Sequence, residues 1–138
     1  MIIDWPESFG RFWDRLEEAA GKGDAKARVE LDFLLAELAV LADLKREPGE
    51  ESATLKRVRQ FRRFPVWRVA HPFHPGVAMR LIVWFPPEEE DLVVIALFAG
   101  NKAQMGDVFY DSVGVRADGL IEQWIRQQHQ EKDQEGER

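Results

Sequence analysis

The apolar residues of this chain change their spacing at Val66, and that change dictates a fold with helices on one side and a sheet on the other. Before it, Phe9, Phe12, Trp13, Leu16 and Ala20 recur at intervals of three and four, the spacing of one helix face. Leu31, Leu34, Leu35, Leu38, Leu41 and Leu44 mark a second such face, widened by Val29, Phe33 and Val40. Gly21-Lys22-Gly23 separates the two, and Asp24 is placed to cap the second helix. Asp4 and Glu7 have the spacing of a capping box for the first. The pair predicts an antiparallel helical hairpin, followed by a linker from Lys45 to Ser52 that contains Pro48 and Gly49.

From Val66 onward apolar and other residues alternate, the period of a strand. Trp67, Val69, His71 and Phe73 share one face, and after a Pro-Gly turn Val77, Met79, Leu81, Val83 and Phe85 share another. A turn centred near Pro75 pairs Phe73 with Val77, His71 with Met79, Val69 with Leu81 and Trp67 with Val83, so that the joint face is apolar except for His71. A slip by one residue would set apolar against polar faces. The same register makes Arg68 and Arg80 diagonal neighbours on the opposite face, expected to be open. Leu92 to Phe98 is a continuous apolar run suited to a central strand, and Gly100 to Gly106 reads as a loop. Ala117, Leu120, Ile121, Trp124 and Ile125 mark a last helix. The prediction is one α+β domain over residues 1–126, a helical hairpin on a small antiparallel sheet with a C-terminal helix, and a polar tail over 127–138 that does not fold.

Charge is segregated within this frame. Formal net charge is −6, yet Ser52 to Pro87 contains seven of the 19 Lys and Arg residues and none of the 25 Asp and Glu residues. Lys56, Arg57, Arg59, Arg62, Arg63, Arg68 and Arg80 are interleaved with Phe61, Phe64, Trp67, Phe73 and Trp84. Cations with aromatic rings can hold phosphates and stack on bases; a solvated sheet face or a docking site for an acidic protein is the competing reading. Two guanidiniums on one open face repel unless an anion lies between them, which favours an anion site at Arg68 and Arg80.

Other chemistries are poorly supplied. With no cysteine, disulfides, thiol nucleophiles and zinc-thiolate sites are excluded, in keeping with a cytoplasmic protein. No apolar run approaches the ~20 residues that span a bilayer, and the first residues lack a basic stretch followed by an apolar one. The acids Glu88 to Asp91 read as a solvated turn. His71 and His74 lack an evident third metal ligand, and read as a core and a turn residue that could also exchange protons. Gly100-Asn101-Lys102 lacks the phosphate-loop pattern. No metal or other cofactor is expected.

Two helices, then strands containing Val66-Trp67-Arg68-Val69, Val77-Ala78-Met79-Arg80-Leu81-Ile82 and Val93-Val94-Ile95-Ala96-Leu97, then a Lys-bearing loop leading to Tyr110, resemble the RelE/ParE superfamily of type II toxins. The resemblance implies a metal-independent endoribonuclease that cuts messenger RNA, commonly on the ribosome, and is neutralised by an antitoxin encoded beside it, for which a small helix-turn-helix protein is the expected kind. It implies catalytic or RNA-binding roles for Arg80, Lys102 and Tyr110. Residue chemistry is compatible: metal-free cleavage needs a base for the 2′-hydroxyl, a donor for the leaving oxygen and cations for the phosphate. Tyr110 supplies a phenol, Arg68, Arg80 and Lys102 the cations, and Lys56, Arg57, Arg59, Arg62 and Arg63 an RNA-binding segment. Tyr110 as a packed ring with a surface hydroxyl remains the plain alternative. A gyrase inhibitor of the ParE type, or an inactive toxin-fold binding module, would share the fold.

Overall fold

The computed structural model describes residues 1–70, 78–87, 93–102 and 108–136. Strand β1 (Ile2–Asp4) precedes helices α1 (Glu7–Gly21) and α2 (Ala25–Ala42). Strands β2 (Leu55–Arg57), β3 (Trp67–Ala70), β4 (Met79–Trp84) and β5 (Val93–Asn101) follow, and helices α3 (Val108–Asp111) and α4 (Val113–Gly136) come last. The fold is α+β. One sheet has the order β1-β5-β4-β3-β2.

That sheet is mixed, whereas the sequence pattern led to an antiparallel one. β1 runs parallel to β5, with Ile2 opposite Val93 and Asp4 opposite Ile95, and the other neighbours are antiparallel. A strand of three residues carries too little period to reveal its partner or direction. β2 is a second addition: Leu55, Lys56 and Arg57 pair with Val69, Arg68 and Trp67, so part of the basic segment is an edge strand.

β3 and β4 pair with Trp67 opposite Val83 and Val69 opposite Leu81, the register that places all four on one face. With Met79 they pack against Phe9, Leu34 and Leu41 in a core between the sheet and the α1–α2 hairpin. Leu31, Leu34 and Leu41 lie on the buried stripe of α2, at spacings of three and seven. Leu34 is fully buried, and truncating such a leucine to alanine costs about 2–5 kcal/mol. Asp24 caps α2, its side chain accepting from Ala27 N at 3.1 Å.

The opposite face is not open, as expected from the arginines, but is largely covered. Val66, Ile82, Trp84, Ile95, Leu97 and Phe98 form a second core with Phe109 of α3 and with Val113, Ala117, Ile121 and Trp124 of α4. The alternation of β4 conceals this, since its Ile82 and Trp84 are apolar on the same face as Arg80. A register shift beside Ile82 and Val83 lets consecutive Leu97 and Phe98 both reach this core. Helices therefore flank the sheet on both sides.

Two local expectations are corrected. No capping box forms at α1: its N-cap is Pro6, without a side-chain bond. Asp4 instead accepts from Trp5 N at 2.8 Å and from Trp124 Nε1 at 2.9 Å, tying β1 to α4. The polar segment after residue 126, expected not to fold, is helical to Gly136. Gln127 within it accepts from Glu7 N at 3.3 Å, and Gln123, one turn earlier, accepts from Ser8 Oγ at 2.6 Å. Among the described residues no helix is long and apolar enough to cross a membrane.

Candidate functional site

α4 covers one end of its sheet face and leaves the other to polar side chains. Lys56 stands directly opposite Arg68 across β2 and β3, and Arg80 is one step along, opposite Ala70. Like charges placed directly across a sheet destabilise it, so a compensating anion would find this end prepared for it. β5 continues past the expected start of a loop at Gly100 and ends at Asn101. Ala78 N donates to Asn101 Oδ1 at 3.0 Å and Lys102 N donates to Ala78 O at 2.9 Å, which fixes the backbone that presents Lys102.

α3 then brings Tyr110 over this end. Its ring packs edge-on against Phe109 at 5.1 Å between centroids, and the residue is only 7% exposed. Arg68 Nη1 donates to Tyr110 Oη at 2.9 Å, and the Arg68 guanidinium lies 5.5 Å from the ring centroid. Lys102 Nζ lies 5.2 Å from the same centroid, within the range of a cation–π contact. The phenol therefore has two cations beside it, Arg68 from β3 and Lys102 from the residue that follows β5.

These residues line a cleft of about 360 Å³ together with Glu51, Lys56, Arg57, Val58, Arg59 and Gln60. Five cations thus face one carboxylate. Among the described residues none of Lys56, Arg57, Arg59, Arg68 and Lys102 makes an ion pair. Arg57 is held by neutral partners, donating through Nη2 to Gly49 O at 3.2 Å and lying 4.8 Å over the Trp67 ring. Glu51 is fixed by a turn in which Ser52 N donates to Leu55 O at 2.9 Å, and its Oε1 accepts from Arg57 N at 3.2 Å.

Of the residues singled out in the sequence, Lys56, Arg57, Arg59, Arg68, Lys102 and Tyr110 come together in this cleft. Arg62 and Arg63 do not. Arg63 pairs with Glu122 of α4 at 3.3 Å and covers the Phe64 ring at 4.8 Å, while the Arg62 stem lies against Gly114. Arg80 shares the face with Arg68 but does not line the cleft; its Nη1 turns back to Met79 O at 2.9 Å, and its Nε is buried without a hydrogen-bond partner among the described residues. His71, His74 and the acids Glu88 to Asp91 lie outside the described residues. Glu51 was not anticipated, because it stands just outside the acid-free segment; the turn at Ser52 and the strand pairing of Lys56 with Arg68 bring it to the site.

A cleft with this composition can bind a phosphodiester and deliver protons to it. Arginine forks and lysine ammoniums bind phosphate oxygens, a phenol donates or accepts one proton, and a carboxylate accepts one. Burial lowers the pKa of one further guanidinium, Arg116, but it lies 4.2 Å over Phe98, outside the cleft. Among the described residues no group of three or more His, Asp or Glu could hold a metal ion. Comparison with family models, curated proteins and solved structures finds no match to this chain.

Proposed function

We propose that the chain is an RNA-cleaving toxin of the RelE/ParE type, which takes single-stranded messenger RNA into the Tyr110 cleft. The observation that carries this reading is the Arg68–Tyr110 hydrogen bond inside a cleft whose five cations make no ion pair among the described residues. Arg68 donates to the phenol oxygen, which leaves the phenol's own proton free to be given away. Tyr110 is then the acid for the leaving 5′-oxygen, and Arg68 stabilises the phenolate left behind. Glu51 is the carboxylate available to take the proton from the attacking 2′-hydroxyl. The 2′-oxygen forms a bond to phosphorus as the bond to the 5′-oxygen breaks, giving a 2′,3′-cyclic phosphate and a free 5′-hydroxyl. Lys102 and Lys56 bear on the negative charge that gathers on the phosphate oxygens, where losing one such donor commonly costs ~10²–10³ in rate. On this reading the partners are translated messenger RNA, the ribosome and a neutralising antitoxin, in the cytoplasm.

The test is to incubate the purified protein with single-stranded RNA, alone and in a translating extract, and to analyse the ends produced. Cyclic phosphate ends, absent when the scissile nucleotide is 2′-deoxy, support the reading. Intact RNA under both conditions overturns it.

A second reading, a toxin-fold module that binds a polyanion without cutting it, is favoured by one observation. Tyr110 is nearly buried and its oxygen already accepts a hydrogen bond, as a structural tyrosine would. RNA binding without cleavage would select it.

A further inference from the structure

Arg59 and Gln60 enter the cleft from irregular backbone between β2 and β3, and such a connection would ordinarily leave their side chains loosely placed. Here it is fastened to α4. The two carboxylate oxygens of Asp118 accept from successive backbone amides, Oδ2 from Arg63 N and Oδ1 from Phe64 N, both at 3.1 Å. One turn earlier on α4, Gly114 lies so close that a Cβ there would stand 2.5 Å from Gln60 O and 2.6 Å from Arg62 Cγ. Glu122, one turn later, holds the Arg63 guanidinium at 3.3 Å. Three residues spaced by one helical turn thus grip one segment, at Gln60, at Arg62 and at Arg63–Phe64.

We infer that Asp118 and Gly114 are positioning residues of the cleft, which hold Arg59 and Gln60 at its wall before RNA arrives. The inference rests on the phosphodiester reading of the cleft and adds to it that the RNA-contacting wall is set from α4, by residues that do not line the cleft. Glycine at 114 is required by the close approach of Gln60 O, which is backbone and cannot swing aside as a side chain could. An aspartate is suited to position 118 because its two oxygens serve two adjacent amides, whereas an asparagine in the same orientation would turn its NH2 toward one of them. Ordering this wall in advance removes an entropy cost that RNA would otherwise bear.

The test uses the full chain, with Asp118→Ala, Asp118→Asn, Gly114→Ala, Arg59→Gln and the double variant Asp118→Ala/Arg59→Gln. Two quantities are measured: amide hydrogen exchange at Arg63 and Phe64, and affinity for a labelled single-stranded oligouridine across a salt series. Asp118→Ala should accelerate exchange at both amides and weaken binding by roughly two- to tenfold, the range for loss of one pre-ordered side chain. Its log–log salt slope should stay near that of wild type, because Arg59 is still present, whereas Arg59→Gln should lower the slope by about 0.7, as for one lost single-strand phosphate contact. The double variant should bind no more weakly than Arg59→Gln alone, because Asp118 acts on binding through the placement of Arg59. Asp118→Asn should fall between wild type and Asp118→Ala, which keeps the test informative should the alanine variant fold poorly. Gly114→Ala should reproduce the binding loss by displacing Gln60. Additive losses in the double variant, or faster exchange with unchanged affinity, would overturn the inference while leaving the phosphodiester reading intact. A wild-type protein that does not bind the oligouridine would overturn both, and the exchange data would then describe a purely structural fastening.

Discussion

Arg68 and Tyr110, 42 positions apart, meet through a hydrogen bond of 2.9 Å at the end of the sheet that α4 leaves uncovered. The strand contributes the charge and the short helix contributes the phenol, so the pair exists only when the sheet and α3 are both in place. Its direction matters for chemistry. A guanidinium can only donate, so the phenol oxygen is the acceptor and the phenolic hydrogen is directed elsewhere.

Arg68→Lys tests that geometry while keeping the charge. A lysine ammonium lacks the planar fork and cannot reproduce a guanidinium's reach to both the phenol and a phosphate. Cleavage should fall by ~10²–10³, the scale for a misplaced transition-state donor. The salt slope of RNA binding should stay unchanged, because the number of cations is unchanged. A rate within a few-fold of wild type would contradict the assigned role.

The basic segment should divide into two halves of unlike behaviour. Replacing Lys56 and Arg59 with Gln removes two cleft cations, and the log–log salt slope of single-strand RNA binding should fall by roughly 1.4. Replacing Arg62 and Arg63 with Gln should leave the slope nearly unchanged, since Arg63 is already paired with Glu122 and neither residue lines the cleft. Equal effects from the two pairs, measured by anisotropy across a salt series, would show that the whole segment contacts RNA.

Where the sequence pattern succeeded, a long stretch of one period carried the information. The α1–α2 hairpin, the cap at Asp24 and the pairing of Trp67 with Val83 all follow from the spacing of apolar residues. The parallel placement of β1 was hidden because three residues define no register, and β2 because Lys56 and Arg57 interrupt any apolar alternation. Covering of the second sheet face was hidden by Arg68 and Arg80, whose charge suggested solvent although Ile82 between them in the pairing is fully buried. The site was legible as a set of residue types and illegible as a place. Only the fold distinguishes Arg59, which enters the cleft, from Arg63, which is clamped to α4, and the turn at Ser52 together with the β2–β3 pairing brings in Glu51.

Asp24→Ala should lower stability and nothing else. The lost bond to Ala27 N is an N-cap interaction, worth about 0.5–2 kcal/mol. Denaturant unfolding should show the midpoint shifted with its slope unchanged, and the RNA affinity of the folded variant should equal that of wild type. A change in affinity would mean that the helical hairpin communicates with the cleft.

The central claim, that the Tyr110 hydroxyl transfers a proton during RNA cleavage, is tested most directly by single-turnover cleavage with the Tyr110→Phe variant, beside its RNA affinity and its melting curve. The substitution keeps the ring against Phe109 and removes one hydrogen bond, so stability should change by only about 1 kcal/mol. The account predicts a fall in the cleavage rate of ~10²–10⁴ with affinity nearly constant, the signature of a group that acts in the transition state. Cleavage at the wild-type rate with a small loss of stability would contradict it, and would make the hydroxyl a structural partner of Arg68.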